Sequence, residues 1–336
     1  MEINEEPSIN KILVKCPPIY RDVFSAFPFL MALRESFPKA EVNLLCEESS
    51  SAAFKFLPYR VRCFERPKEK MSLIQTHHFC ANLNDVFNID LFFDLENSFN
   101  SSFIGFNLCS KERIGFGIGW NKYFYTQKIS QISNVSLEEK YVGLLEFYTK
   151  NSFPDLQISS GRNEIKKVDK IEQLFKEPIP PKFIMIMLDC FKNVSNDIKT
   201  WTQFFDNFHG QKFIIWSLQD HKIISELFAS IDLGHNNLYM HQGVDTEELL
   251  YLFDRVVGVV TNNVWSEGLI TYFGVNSFSF LNSSVPSLPI YKKFKFKPRR
   301  FIFFDNGVIK YKYRDEEKDY SEMNQIVDHI HFQFKL

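Results

Sequence analysis

The carboxylate best placed to do chemistry in this chain is Asp22. It follows the short loop Pro17–Arg21 and opens the segment Val23–Phe37, whose apolar residues recur at helical spacing. A carboxylate there has two uses. It can satisfy the free N–H groups of a first helical turn and complement the helix dipole. It can also act as a general base that takes the proton from an attacking hydroxyl. Asp94 and Glu96, at the end of the apolar run Asp90–Leu95, pose the same choice between capping a strand end and meeting a ligand. Lys292–Arg300 reads KKFKFKPRR. It is either an exposed edge strand or loop whose lysines discourage pairing, or a surface for anionic lipid head groups or an anionic acceptor. His77, His78 and Cys80 crowd together, but no second cluster has a zinc-like partner spacing, so a loop or strand end is expected there and no metal site. The glycines of Gly115–Trp120 have the wrong spacing for a dinucleotide fingerprint, and no P-loop, G-x-S-x-G or H-E-x-x-H occurs.

These groups need a frame, and the pattern predicts one. Strands are expected at Lys11–Cys16, Glu41–Cys46, Val61–Phe64, Asp90–Leu95 and Arg113–Phe116, with a helix over Val23–Phe37. The second half repeats the alternation. Strands are expected at Phe183–Leu188, Phe213–Ser217, Leu238–Met240, Val256–Thr261 and Ser277–Leu281, and helices over Thr200–Phe208, Asp220–Ile231 and Thr246–Phe253. Short apolar runs alternating with helical periods argue for parallel sheets covered on both faces. The expected domains are residues 1–160 and 183–319, joined by a polar linker, 161–182, that ends in the Pro-rich Glu177–Pro181. The last helix, within 320–336, is read as crossing back to the first domain. Doubly wound halves bind ligands at the carboxyl ends of their strands, in the cleft between them.

A chain of 336 residues suits two domains. The 37 phenylalanines are scattered along it and read as core filling. A formal net charge of -2 provides no global field for nucleic acid, so none is expected as a partner. The acidic, polar start lacks a signal pattern, and no apolar run nears the roughly 20 residues that span a bilayer. Six widely spread cysteines without a C-x-x-C pair read as buried small hydrophobes in a reducing compartment. The expected location is therefore the cytoplasm, with peripheral contact to the cytoplasmic membrane through Lys292–Arg300 as an option.

The stretch ILVKCPPIYRDVFSAFPFLMALRESFP resembles the opening of the family 9 glycosyltransferases, the heptosyltransferase family. Without a gap, Asp22 falls on the family's catalytic Asp, Pro28 on its Pro, Ala32 and Leu33 on its Ala-Leu, and Phe37 and Pro38 on its Phe-Pro. Pro17, Pro18 and Arg21 stand where small residues and Gly are usual. DLFFDLENSFNSS followed by KERIGFG is similar to a second family block, through Asp90, Asp94, Leu95, Asn97 and Ser101 and then Arg113, Ile114, Gly115 and Phe116. Asn100 replaces the usual basic residue. In the second half, VVGVVTNN and VWSEGLITYFGV resemble the family's signature for the donor diphosphate. Asn263 stands at its Asp, Val264 at its Ser/Thr, Trp265 at its Gly, Ser266 at its Pro and Gly268 at its His.

The resemblance implies α/β architecture with two Rossmann-like doubly wound domains facing a cleft, the GT-B arrangement. It implies an inverting transfer of a sugar, heptose by resemblance, from a nucleotide-diphosphate donor to a lipopolysaccharide-type or other glycan or glycolipid acceptor. Asp22 would be the base. Arg21, Asp94, Glu96, Asn97 and Ser101 would line the acceptor side. Lys192, Asn262, Asn263, Ser266, Glu267 and Gly268 would hold the donor, the last three through loop N–H groups facing the phosphates. Lys192 also reads as an ordinary exposed lysine. No metal and no cofactor beyond the nucleotide sugar are implied. The lost polar signature leaves a second reading open, a catalytically degenerate relative that binds a glycan or a protein.

Overall fold

A computed structural model describes residues 9–18, 23–66, 71–130, 135–153, 182–188, 194–207, 213–217, 229, 238–242, 251–253, 255–261, 270, 275–282, 300–305, 308–313 and 316–334. They fall into two compact units, one holding the described residues up to 153 and the other those from 182 onward.

The first unit is a six-stranded parallel sheet. Its strands are β1 (Lys11–Lys15), β2 (Glu41–Glu47), β3 (Arg62–Arg66), β4 (Leu91–Asp94), β5 (Glu112–Phe116) and β6 (Gln127–Ile129), in the order β3-β2-β1-β4-β5-β6. The helices are α1 (Phe27–Ser36), α2 (Leu73–Val86), α3 (Phe99–Asn107) and α4 (Leu137–Thr149). The period-2 alternation of β4 divides two cores. Phe92 joins Leu13, Leu45, Cys80, Ile104 and Leu108 on one face. Phe93 packs edge-on against Phe29 of α1 and Tyr148 of α4 on the other. Among the described residues many phenylalanines fill the core, as Phe27, Phe29, Phe92 and Phe93 do.

The second unit repeats the order. Its strands β7 (Phe183–Leu188), β8 (Phe213–Ser217), β9 (Leu238–Gln242), β10 (Val256–Thr261), β11 (Ser277–Asn282) and β12 (Arg300–Asp305) are parallel, and β13 (Val308–Tyr313) and β14 (Glu316–Tyr320) extend the sheet antiparallel. The sheet order is β14-β13-β12-β11-β10-β7-β8-β9. The parallel core therefore has the same 3-2-1-4-5-6 winding as the first sheet, the order of a Rossmann fold. Helix α5 (Val194–Asn207) packs Trp201 and Phe204 against Phe280 of β11, with Phe205 buried beside them.

Several local expectations change. His77, His78 and Cys80 lie within α2, whose start is fixed by a capping box between Ser72 and Gln75. His77 Nδ1 meets Asn107 Oδ1 at 2.8 Å. Among the described residues no group of three or more His, Cys, Asp or Glu is able to hold a metal. Cys16, Cys46 and Cys80 are buried, but Cys63 is half-buried and Cys109 exposed. The edge-strand reading of Lys292–Arg300 fails at Arg300, because β12 has β11 on one side and β13 on the other; the rest of that stretch lies outside the described residues. The last helix, α6 (Met323–Phe334), packs on α5 and β14 of the second unit. Its buried face of Ile326, Val327, Ile330 and Phe334 explains this. Phe334 packs on Phe278 and lies over Gly258, where any Cβ would occupy the space of the ring. Among the described residues no helix is long and apolar enough to cross a membrane.

Candidate functional site

In each sheet the chain reverses its winding between the first and fourth strands, which leaves a crevice outside their carboxyl ends. In the first unit those ends are Lys15 of β1 and Asp94 of β4, and the two are register partners. Period 2 sets Lys15 on the face of Leu13 and Asp94 on the face of Phe92, so both point to the same side. Both side chains are 0% exposed.

Such burial is tolerable because both groups are bonded. Asp94 Oδ1 accepts from the N–H of Glu96 and of Asn97, each at 3.0 Å. Its Oδ2 accepts from Ser101 Oγ and from the Tyr125 hydroxyl, each at 2.7 Å. The first pair folds the chain back on the carboxylate as an Asx turn, and Asn97 closes the turn at φ 58, a conformation Asn adopts more readily than most residues. Ser98 then caps α3 in a capping box with Ser101. Lys15 Nζ pairs with Glu96 Oε2 at 2.6 Å and donates to the Cys16 carbonyl at 3.0 Å. Glu96 Oε1 accepts from Ser98 Oγ at 2.7 Å. One connected network thus ties the first residue of the loop after β1 to the loop after β4.

The electrostatics follow. Burial pushes the Asp94 carboxyl up to about 6, against the lowering by its Ser101, Tyr125 and Asn97 hydrogen bonds. The same burial, with Asp94 alongside, pushes the Tyr125 hydroxyl well above the usual tyrosine range. Tyr125 can reach Asp94 because Gly115 lies under its ring, where any Cβ would occupy ring space. Arg113 braces the turn before β6, donating from Nε to the Phe124 carbonyl and from a terminal nitrogen to the Ser110 carbonyl, each at 2.7 Å.

Of the acceptor residues expected from sequence, Asp94, Glu96, Asn97 and Ser101 come together here, and Arg21 lies outside the described residues. Asp94 and Ser101 are wholly buried, and the bond between them helps to shape the loop. Glu96 and Asn97 are partly exposed and remain within a ligand's reach. Sequence reasoning missed Lys15 and Tyr125. A charge closing the apolar strand KILVK, in step with Leu13, was a usable signal for Lys15. Nothing local marked Tyr125. Asp22 lies outside the described residues, but its flanks do not. β1 ends at Lys15, and a short 3-10 turn, Phe24–Ala26, leads into α1. Ser25 Oγ donates to Glu138 Oε1 of α4 at 3.1 Å and anchors that turn.

In the second unit the switch point lies between β7 and β10. Thr261, buried at the end of β10, donates to the Met187 carbonyl of β7 at 2.8 Å and locks the two ends together. The expected donor residues Lys192, Asn262, Asn263, Ser266, Glu267 and Gly268 follow these strand ends and lie outside the described residues.

No family profile and no curated protein matches the sequence. Solved structures do match the fold. A family 9 glycosyltransferase from Veillonella parvula superposes with TM-score 0.67 at 15% identity, over 83% of this chain and 83% of its own. ADP-heptose LPS heptosyltransferase II from Escherichia coli gives 0.68 at 14%, over 97% of this chain and 98% of its own. The E. coli heptosyltransferase WaaC, solved with ADP, gives 0.62 at 12%, over 82% and 88%. The chain therefore has the GT-B fold of these proteins, two Rossmann-like units, at a sequence distance where the likeness shows the fold alone.

Proposed function

We propose that the chain is a glycosyltransferase of the family 9 type, transferring a sugar from a nucleoside-diphosphate donor to a glycan or glycolipid acceptor. Heptose is the sugar that the sequence resemblance favours. The observation that carries this reading is the meeting of motif and fold. The gapless Ile12–Pro38 block begins on β1 and ends just past α1, beside the switch point of a sheet whose winding suits ligand binding, in a chain that superposes on a heptosyltransferase over 97% of its length.

In the proposed reaction Asp22 takes the proton of an acceptor hydroxyl as that oxygen bonds to the anomeric carbon. The bond from that carbon to the diphosphate oxygen breaks on the opposite face, so configuration inverts. Charge that develops on the leaving diphosphate meets the N–H groups of Ser266, Glu267 and Gly268 and the ammonium of Lys192. Asn262 and Asn263 hold that loop. Glu96 and Asn97 offer polar contacts to the acceptor, while Lys15 and Asp94 keep their loop rigid. The scheme requires no metal and no cofactor besides the donor.

Calorimetric titration with nucleoside diphosphates and their sugars, ADP-heptose among them, tests the donor half. Absence of binding to all of them refutes it. Asp22→Ala then tests the base. Transfer should fall by about 10²–10⁴-fold with donor affinity nearly intact, and unchanged turnover removes Asp22 from the mechanism. A second reading, a binding module without turnover, is favoured by Val264 and Trp265, which stand where the family pattern has Ser/Thr and Gly. Glycan binding without donor binding would establish it.

A further inference from the structure

Among the described residues, five of the eight exposed large hydrophobic side chains lie in one part of the first unit, the others being Leu73, Ile74 and Phe332. Phe99 (45% exposed), Phe106 (50%), Ile118 (38%), Trp120 (77%) and Tyr123 (67%) all lie between residues 99 and 123. Their rings fall in two groups that meet in sequence at Tyr123 and Phe124. Half-buried Phe124 touches Phe99 and Phe106, each with ring centroids 5.5 Å apart, and Trp120 lies 6.0 Å from Tyr123. Trp120 and Tyr123 sit on the 3-10 turn Gly119–Tyr123, just past the carboxyl end of β5. Asn121 Nδ2 donates to the Asn97 carbonyl at 3.2 Å, which ties this turn to the loop of the candidate site. Isolated exposed apolar residues carry no message, but a contiguous set does.

From Ile118 to Lys128 the charged residues are Lys122 and Lys128, both cationic; Glu112, at the start of β5, accepts from Gln127 Nε2 at 3.0 Å. Lys122 and Lys128 are exposed, and no carboxylate pairs with either among the described residues. Lys122 Nζ stands 5.1 Å from the Tyr123 ring centre, and Lys128 Nζ donates to the Lys122 carbonyl at 3.5 Å. Trp and Tyr favour the interface between water and hydrocarbon, where a ring is buried and its polar edge stays wet. Phe and Ile gain from entering the acyl boundary, and lysines between them meet anionic head groups. A soluble glycan would use one or two rings. It would leave Phe99, Phe106 and Ile118 without a partner.

We infer that the surface formed by Phe99, Phe106, Ile118, Trp120 and Tyr123, with Lys122 and Lys128, docks on an anionic lipid bilayer. This surface shares no residue with Lys292–Arg300 and does not depend on the transferase reading. It places the mouth of the first unit's site at the head-group level.

Flotation of the full chain with phosphatidylglycerol-containing and pure phosphatidylcholine vesicles tests it, beside the variants Trp120→Ala/Tyr123→Ala and Lys122→Gln/Lys128→Gln. Both pairs are at the surface, and circular dichroism verifies their folding. The parent should float with the anionic vesicles and its tryptophan emission should shift to the blue. The aromatic variant should lose roughly tenfold in partitioning and the shift. The lysine variant should lose the preference for anionic over neutral vesicles. Failure of the parent to float overturns the inference. So does full binding by the aromatic variant, or binding lost only when Lys292, Lys293, Lys295 and Lys297 are neutralised. Burial of Trp120 in a dimer without vesicles, or protection of it by a soluble oligosaccharide alone, also overturns it.

Discussion

Tyr125→Phe isolates the interaction on which the buried carboxylate depends. The ring stays over Gly115, and only the hydroxyl that donates to Asp94 at 2.7 Å is removed. A hydrogen bond to an ionised group contributes about 1.5–3 kcal/mol, against about 0.5–1.5 kcal/mol for a neutral pair. Asp94 titrates at about 6 in the folded protein and has an ordinary value of 3.8. It is therefore ionised near pH 8 and mostly protonated near pH 5, so the variant should lose about 2 kcal/mol at the higher pH and about 1 kcal/mol at the lower. The difference of about 1 kcal/mol corresponds to a further rise of about 0.7 units in the Asp94 pKa. The sign follows from linkage. A carboxyl whose folded pKa is raised stabilises the fold fully below its unfolded value, and that contribution is lost as pH rises through the folded value. Moving the folded value up extends the loss to higher pH, so the gap between parent and variant widens upward. Urea unfolding of both proteins at the two pH values measures it, and subtraction at equal pH removes the other carboxylates. A gap that is flat, or wider at about pH 5, would refute a charge-assisted bond at Asp94.

Lys15→Met strands the Glu96 carboxylate without its cation and should cost about 3–5 kcal/mol in unfolding free energy, with part regained in Lys15→Met/Glu96→Gln; equal losses in the single and double variants would show that the pair is not the cause. Gly258→Ala drives a methyl into the Phe334 ring and should cost about 1–3 kcal/mol by thermal or chemical unfolding. In the Phe334→Ala background the added cost should nearly vanish, and strict additivity would contradict the packing of α6 on β10.

Much of the frame was legible locally. The apolar runs of β1, β2, β4, β7 and β10 fell within a residue or so of their observed bounds, because a strand covered on both faces must be apolar throughout. Helix α3 and strand β6 went unread. The stretch FNSSFIGFN owes its helical start to a capping box, and QKI is too short for a period. The N-terminal acid cluster was found as a set of positions, but its roles were not. Whether Asp94 caps or binds cannot be read from DLFFDLENS.

What the sequence determined by itself is the winding. Two series of alternating strands and helices, with short connections, permit few topologies other than doubly wound sheets. It also supplied the Ile12–Pro38 block, because that motif is contiguous. Tertiary structure decided the rest. Register alone sets Lys15 beside Asp94, 79 positions on. The loss of a Cβ at Gly115 lets Tyr125 reach the same carboxylate from β6's side of the sheet. The face of α6 packs on β10 because Gly258 leaves room there for Phe334. Each of these depends on a partner distant in the chain, and no local propensity encodes distance between strands.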